Sequence, residues 1–88
     1  MTTLQIDQVV ETMQVLADPM RLRILFVLSE QSSLSLSALH QRLPISFSAL
    51  SSHVNELKKQ DLVHSRQRDN ELYYSLANKA VLRLTRLF

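Results

Sequence analysis

The side chains of this chain that could do hydrogen-bonding, acid–base or ligating chemistry concentrate in one stretch, Ser35–Val63, read SLSALHQRLPISFSALSSHVNELKKQDLV. Within it Ser46, Ser48, Ser51, Ser52, His53 and Asn55 are short donors and acceptors, and Lys58 and Lys59 follow. Nucleophilic catalysis is the first chemistry to test. Ser51 and His53 stand two apart and point to different sides of a helix, so they cannot form a nucleophile–base pair. Glycine is absent, so no glycine-rich phosphate loop exists, and no carboxylate pair is clustered. No enzyme is expected and no organic cofactor is implied. Metal chemistry fares no better. There is no cysteine, and the three histidines, His40, His53 and His64, fall on different elements with no i, i+4 pair.

The elements that must carry these residues are legible from the apolar spacing. Leu36, Leu39 and Leu43 predict a short helix over 36–43. Pro44 cannot sit inside a continuing helix. Ser46 offers an oxygen to cap a second helix over 46–60, whose Leu50, Val54 and Leu57 form one buried stripe. The opposite face is small and polar. A helix that buries one side and presents short hydrogen-bonding groups on the other suits a groove of DNA, where bulky side chains block approach to the base edges. The charge agrees. Between Arg42 and Arg68 lie Arg42, Lys58, Lys59, Arg66 and Arg68 against Glu56 and Asp61 alone. A basic centre with acidic flanks suits a polyanion.

The rest of the chain supplies a frame. Residues 3–17 predict an amphipathic helix with Ile6, Val9, Val10, Met13, Leu16 and Ala17 on its apolar side. Asp18-Pro19 is a cap followed by proline at the first helical position, and starts a second helix running to Ser29. Glu30–Leu34 reads as a polar connection. Leu62–Arg68 and Leu72–Leu76 predict two strands around Asp69-Asn70, a pair that tolerates left-handed backbone. Asn78 caps a last helix to Phe88, with Val81, Leu84 and Phe88 on one stripe. The expected fold is mainly α with a small β-hairpin (α+β), in the order α-α-α-α-β-β-α: a winged helix-turn-helix. With 88 residues there is room for one domain. The terminal helices, 3–17 and 78–88, are more apolar than a lone small domain needs and are expected to form a dimer interface through Ile6, Val9, Val10, Met13, Val81, Leu84 and Phe88. No signal peptide or membrane span is visible, so a cytoplasmic location is expected.

With these elements in place the chain resembles the ArsR/SmtB family of small winged-helix repressors. Leu16-Ala17-Asp18-Pro19-Met20-Arg21-Leu22-Arg23-Ile24-Leu25 is similar to that family's signature segment. Ser46–Leu57 resembles its recognition helix, with His53 at the position of a family histidine, and Leu62-Val63 and Tyr73-Tyr74 also match. The resemblance implies a homodimer joined through its terminal helices that represses transcription until an effector arrives. Three departures stand out. Ser35 and Ser37 occupy the positions of two metal-sensing cysteines, and a serine hydroxyl is a poor ligand for thiophilic ions. The last helix lacks the Asp, His and Glu by which other members bind metal. Phe47 stands where glutamine is common.

The expected function is therefore a homodimeric, sequence-specific DNA-binding regulator, a repressor on a near-palindromic operator, with double-stranded DNA as partner and no thiolate metal sensing. Ser46, Phe47, Ser48, Ser51, Ser52, His53, Asn55 and Lys58 are the expected contacts from the helix, and Arg66 and Arg68 from the wing. His53 either donates to a base or phosphate or packs half-buried. Phe47 either meets a thymine methyl or packs under the turn. Two other functions fit the same residues: a winged-helix protein-interaction module without DNA binding, and a metal-responsive repressor using oxygen and nitrogen ligands.

Overall fold

The computed structural model describes residues 1–87. Five helices and three strands follow in the order α1 (Thr3–Leu16), α2 (Pro19–Ser29), β1 (Leu34–Ser35), α3 (Leu36–Gln41), α4 (Phe47–Lys59), β2 (Val63–Arg68), β3 (Glu71–Leu76) and α5 (Lys79–Thr85). Each helix begins on a side-chain cap. Thr2 and Gln5 form a reciprocal capping box at α1, and Asp18, Ser35, Ser46 and Asn78 each accept from a backbone N–H one turn on. These are the polar residues that compete with a helix interior and favour its start.

The core forms around α2, which packs against α1, α4, α5 and β3. Ile24, Leu25 and Leu28 meet Leu39 of α3, the Leu50, Val54 and Leu57 stripe of α4, and Val63 and Tyr74 of the sheet. Burial pushes the Tyr74 phenol above its usual titration range. No helix among the described residues is long and apolar enough to cross a membrane.

Several sequence expectations need correction. A third strand exists: β1, within what reads as a connection ending at Leu34, pairs antiparallel with β3, Leu34 opposite Tyr74 and Ser35 opposite Tyr73, giving the order β1-β3-β2. Two residues are too few to show a period, so only the pairing reveals them. α3 ends at Gln41, not 43; Arg42 and Leu43 turn back with N–H donation to Leu39 and His40 carbonyls. α1 ends at Leu16 with Ala17 as C-cap, and the last helix covers 79–85 rather than 78–88. Strand β2 begins at Val63 because Leu62 closes α4 instead. Its N–H donates to Leu57 O and that of Asp61 to Lys58 O, both at 3.0 Å. This is a Schellman closure, which needs a left-handed residue, and in a chain without glycine Asp61 takes that conformation at φ 55°.

The terminal helices differ in how they meet the core. On α1 the core residue is Val15, while Ile6, Val9, Val10 and Met13 stay exposed. On α5 the pattern reverses. Val81, expected on the free stripe, is only 5% exposed and belongs to the chain's own core, with Thr85 buried one turn on. Leu84 is half-buried. Phe88 lies outside the described residues.

Candidate nucleic-acid interface

Helix α4 is divided by burial. Leu50, Val54 and Leu57 are at most 1% exposed, whereas Ser48, Ser52, Asn55 and Lys59, spaced along the other side, are exposed. Such a split follows from a 3.6-residue period and leaves small polar groups outward. Ser51 and His53 flank this strip half-buried, and Lys58 is exposed beside it. The one acid on the helix, Glu56, is paired on the surface with Lys59 at 3.3 Å. Helix α4 itself therefore carries no acid in its first turn.

The turn that aims α4 is held by His40. Its Nε2 sits 3.0 Å from the Ile45 carbonyl, and its ring meets the edge of Phe47 with centroids 5.6 Å apart and planes at 85°. This role for His40 is not among the sequence expectations; its place one turn before Pro44 is the only sequence sign of it. Phe47 is 49% exposed, so it is neither packed away under the turn nor wholly free. Ser46 spends its oxygen on the Ala49 N–H at 3.1 Å. Its expected contact role is thus joined to a structural one.

The wing is the β2–β3 hairpin. Its two-residue tip, Asp69-Asn70, takes φ of 50° and 66°, the paired left-handed turn that matches strand twist. Arg66 pairs with Tyr73 and Arg68 with Glu71 across the strands. The Arg68 guanidinium lies 5.7 Å from the Tyr73 ring centre, within cation–π range. Arg66 and Arg68 share one sheet face with His64, Tyr73 and Ser75, bordering a hollow with Ser33. The opposite face of the hairpin carries Gln67 and Leu72, which border a groove of about 340 Å³ with Phe47 and α3. Thus the head of α4 and the wing tip meet at one groove, and Gln67, not an arginine, is the β2 residue in it. Period 2 along β2 already implied this separation.

The residues of the metal-sensing positions are placed differently. Ser35 accepts the Ala38 N–H at 3.1 Å as cap of α3, and Ser37 is exposed. Asp18, at the head of α2, accepts from the Met20 and Arg21 N–H groups at 2.8 and 3.2 Å. Partial burial opposes ionisation of its carboxyl, but these two hydrogen bonds, together with nearby positive charge, outweigh it and hold the pKa below the ordinary value.

A family model for helix-turn-helix domains matches residues 16–66. The chain is 38% identical over 82 residues to the transcriptional repressor SmtB homolog of Synechocystis, covering 93% of this chain and 61% of that protein's length. Among solved structures, the transcriptional regulator HlyU from Vibrio vulnificus superposes with a TM-score of 0.80 at 32% identity, covering 96% of this chain and 86% of the other. Mb0332 from Mycobacterium bovis, described as a homodimeric winged helix-turn-helix DNA-binding domain and a possible ArsR-family regulator, gives 0.87 at 28%, covering 96% and 77%. With this match, the signature segment capping α2 and the wing in place, the chain belongs to the ArsR/SmtB family of winged helix-turn-helix transcriptional regulators.

Proposed function

We propose that the protein is a homodimeric repressor that lays α4 in the major groove of a near-palindromic operator and does so without thiolate metal sensing. The observation that carries this reading is the outer strip of α4. Ser48, Ser52 and Asn55 are exposed, short and uncharged, on a helix whose other face is fully buried. Base edges of the major groove are reached by such groups. Ser51, His53 and Lys58 flank the strip, Phe47 offers an apolar edge for a thymine methyl, and Arg66 and Arg68 supply charge from the wing. Dimerisation is supported by α1, where Leu4, Ile6, Val9, Val10 and Met13 are 40–68% exposed. Two-fold symmetry then places half-sites about one helical turn apart, or a multiple of it. Ser35 and Ser37 supply no thiolate, so Zn(II), Cd(II) and As(III) are expected to leave the DNA complex intact.

Selection from a random duplex pool identifies the operator, and fluorescence anisotropy then compares it with random duplex. Ser52→Ala with Asn55→Ala is expected to cost roughly 1–3 kcal/mol on the operator and little on random DNA. A folded double variant with full operator preference would place the reading surface elsewhere. Absence of any salt-dependent duplex binding would favour the protein-interaction reading instead.

A further inference from the structure

Helices α1 and α4 are joined by side chains of which only His53 is among the proposed DNA contacts. Thr12 donates through Oγ1 to Gln60 Oε1 at 2.8 Å, at the C-cap of α4. Nearer the middle of α4, Arg21 Nε donates to His53 Nδ1 at 3.1 Å. The same guanidinium donates through Nη1 to the Val15 carbonyl, in the last turn of α1, at 3.4 Å. Arg21 is itself fixed, because its backbone N–H is held by the Asp18 cap. Arg21 and His53 are both half-buried.

A guanidinium only donates. His53 Nδ1 is therefore the unprotonated, accepting nitrogen, and the neutral ring carries its proton on Nε2. We infer that Arg21 is a positioning residue for DNA reading: it ties the end of α1 to the recognition helix and presets His53 as an Nε2–H donor. The partner for that donor is an acceptor, a phosphate oxygen or a purine N7. This inference rests on α4 being the reading helix. It adds that sequence preference depends on a residue outside that helix. Lysine at position 21 would keep the charge but lose the planar fork that reaches two acceptors at once.

The test uses the full chain with Arg21→Lys, Arg21→Gln and His53→Asn, the last placing an acceptor oxygen near the Nδ1 position without a ring donor. Long-range proton–nitrogen spectra of the imidazoles in DNA-free protein should show His53 of the wild type as the Nε2–H tautomer and a mixture in Arg21→Gln. By anisotropy, Arg21→Lys should lower operator preference over random duplex by about tenfold, with random-duplex affinity and salt slope unchanged. His53→Asn should keep the wild-type melting temperature and lose the same preference. An Nδ1–H tautomer in the wild type, or identical tautomers in all Arg21 variants, overturns the inference. So does an Arg21→Lys protein with wild-type preference beside an Arg21→Gln protein weakened on all DNA with a flatter salt slope, the signature of a simple phosphate contact. If the wild type shows no operator preference, the reading of α4 fails, while the tautomer spectra still decide the tether.

Discussion

Helices α1 and α4 are both amphipathic, and they use their apolar faces in opposite ways. α4 buries Leu50, Val54 and Leu57 within its own chain and turns small polar groups outward. α1 buries Val15 alone and turns Ile6, Val9, Val10 and Met13 outward. Periodicity announces that a face is to be covered. It does not say whether the cover comes from the same chain. For α4 the cover is α2 and β2; for α1 it is, in the proposed assembly, a second copy.

The contrast can be broken most forcefully in the core. Leu50→Ala is expected to lose about 2–5 kcal/mol of stability, because a cavity opens against atoms that relax only in part. Urea unfolding measures it; a loss near zero would mean that α4 is not seated as described. The matching change on α1 is Val9→Glu with Met13→Glu. It should leave the helical circular dichroism in place and lower the mass in light scattering from dimer to monomer, since the charges are forced into an apolar contact between subunits only. A folded double variant that remains dimeric would remove α1 from the interface.

A smaller effect sharpens the junction between the two helices. Asp18→Ala removes the cap of α2 beside the α1–α4 tether and should cost about 1 kcal/mol. The pH dependence has a definite sign. The carboxyl pKa is lower in the folded chain than unfolded, so its stabilisation is present above the unfolded value and fades as pH falls through the folded one. The wild-type minus Asp18→Ala difference in melting temperature should therefore shrink on acidification. A difference that grew would mean that Asp18 is not stabilised as the carboxylate. The smallest effect expected is on the wing. Arg66→Ala should weaken operator and random DNA together and reduce the salt slope by about one unit. A loss confined to the operator would make Arg66 a base reader.

The sequence carried most of the fold because its signals are local. Asp18-Pro19, Ser46 and Asn78 mark helix starts by side-chain chemistry that acts within one turn. The α4 stripe and its polar back follow from spacing alone. Asp69-Asn70 announces the hairpin tip because few residues accept paired positive φ. What stayed hidden needed partners distant in sequence. β1 exists because Leu34 and Ser35 reach Tyr74 and Tyr73. Val81 reads as part of a free stripe but is consumed by the core, since one face of α5 is covered by α2 and β3. Asp61 is left-handed because α4 must close before β2 begins.

The candidate site divides the same way. Residue types and spacing determined that α4 buries one stripe and that its outer groups are short and polar. Only the tertiary structure decided that Phe47 at the head of α4 shares a groove with Gln67 and Leu72 of the wing. Only it decided that His53 accepts from an arginine far back in the chain, a bond that depends on α2 crossing α4. Local patterns follow from short-range sterics and burial; which nitrogen of a histidine is left to donate is set by what the fold brings against the other.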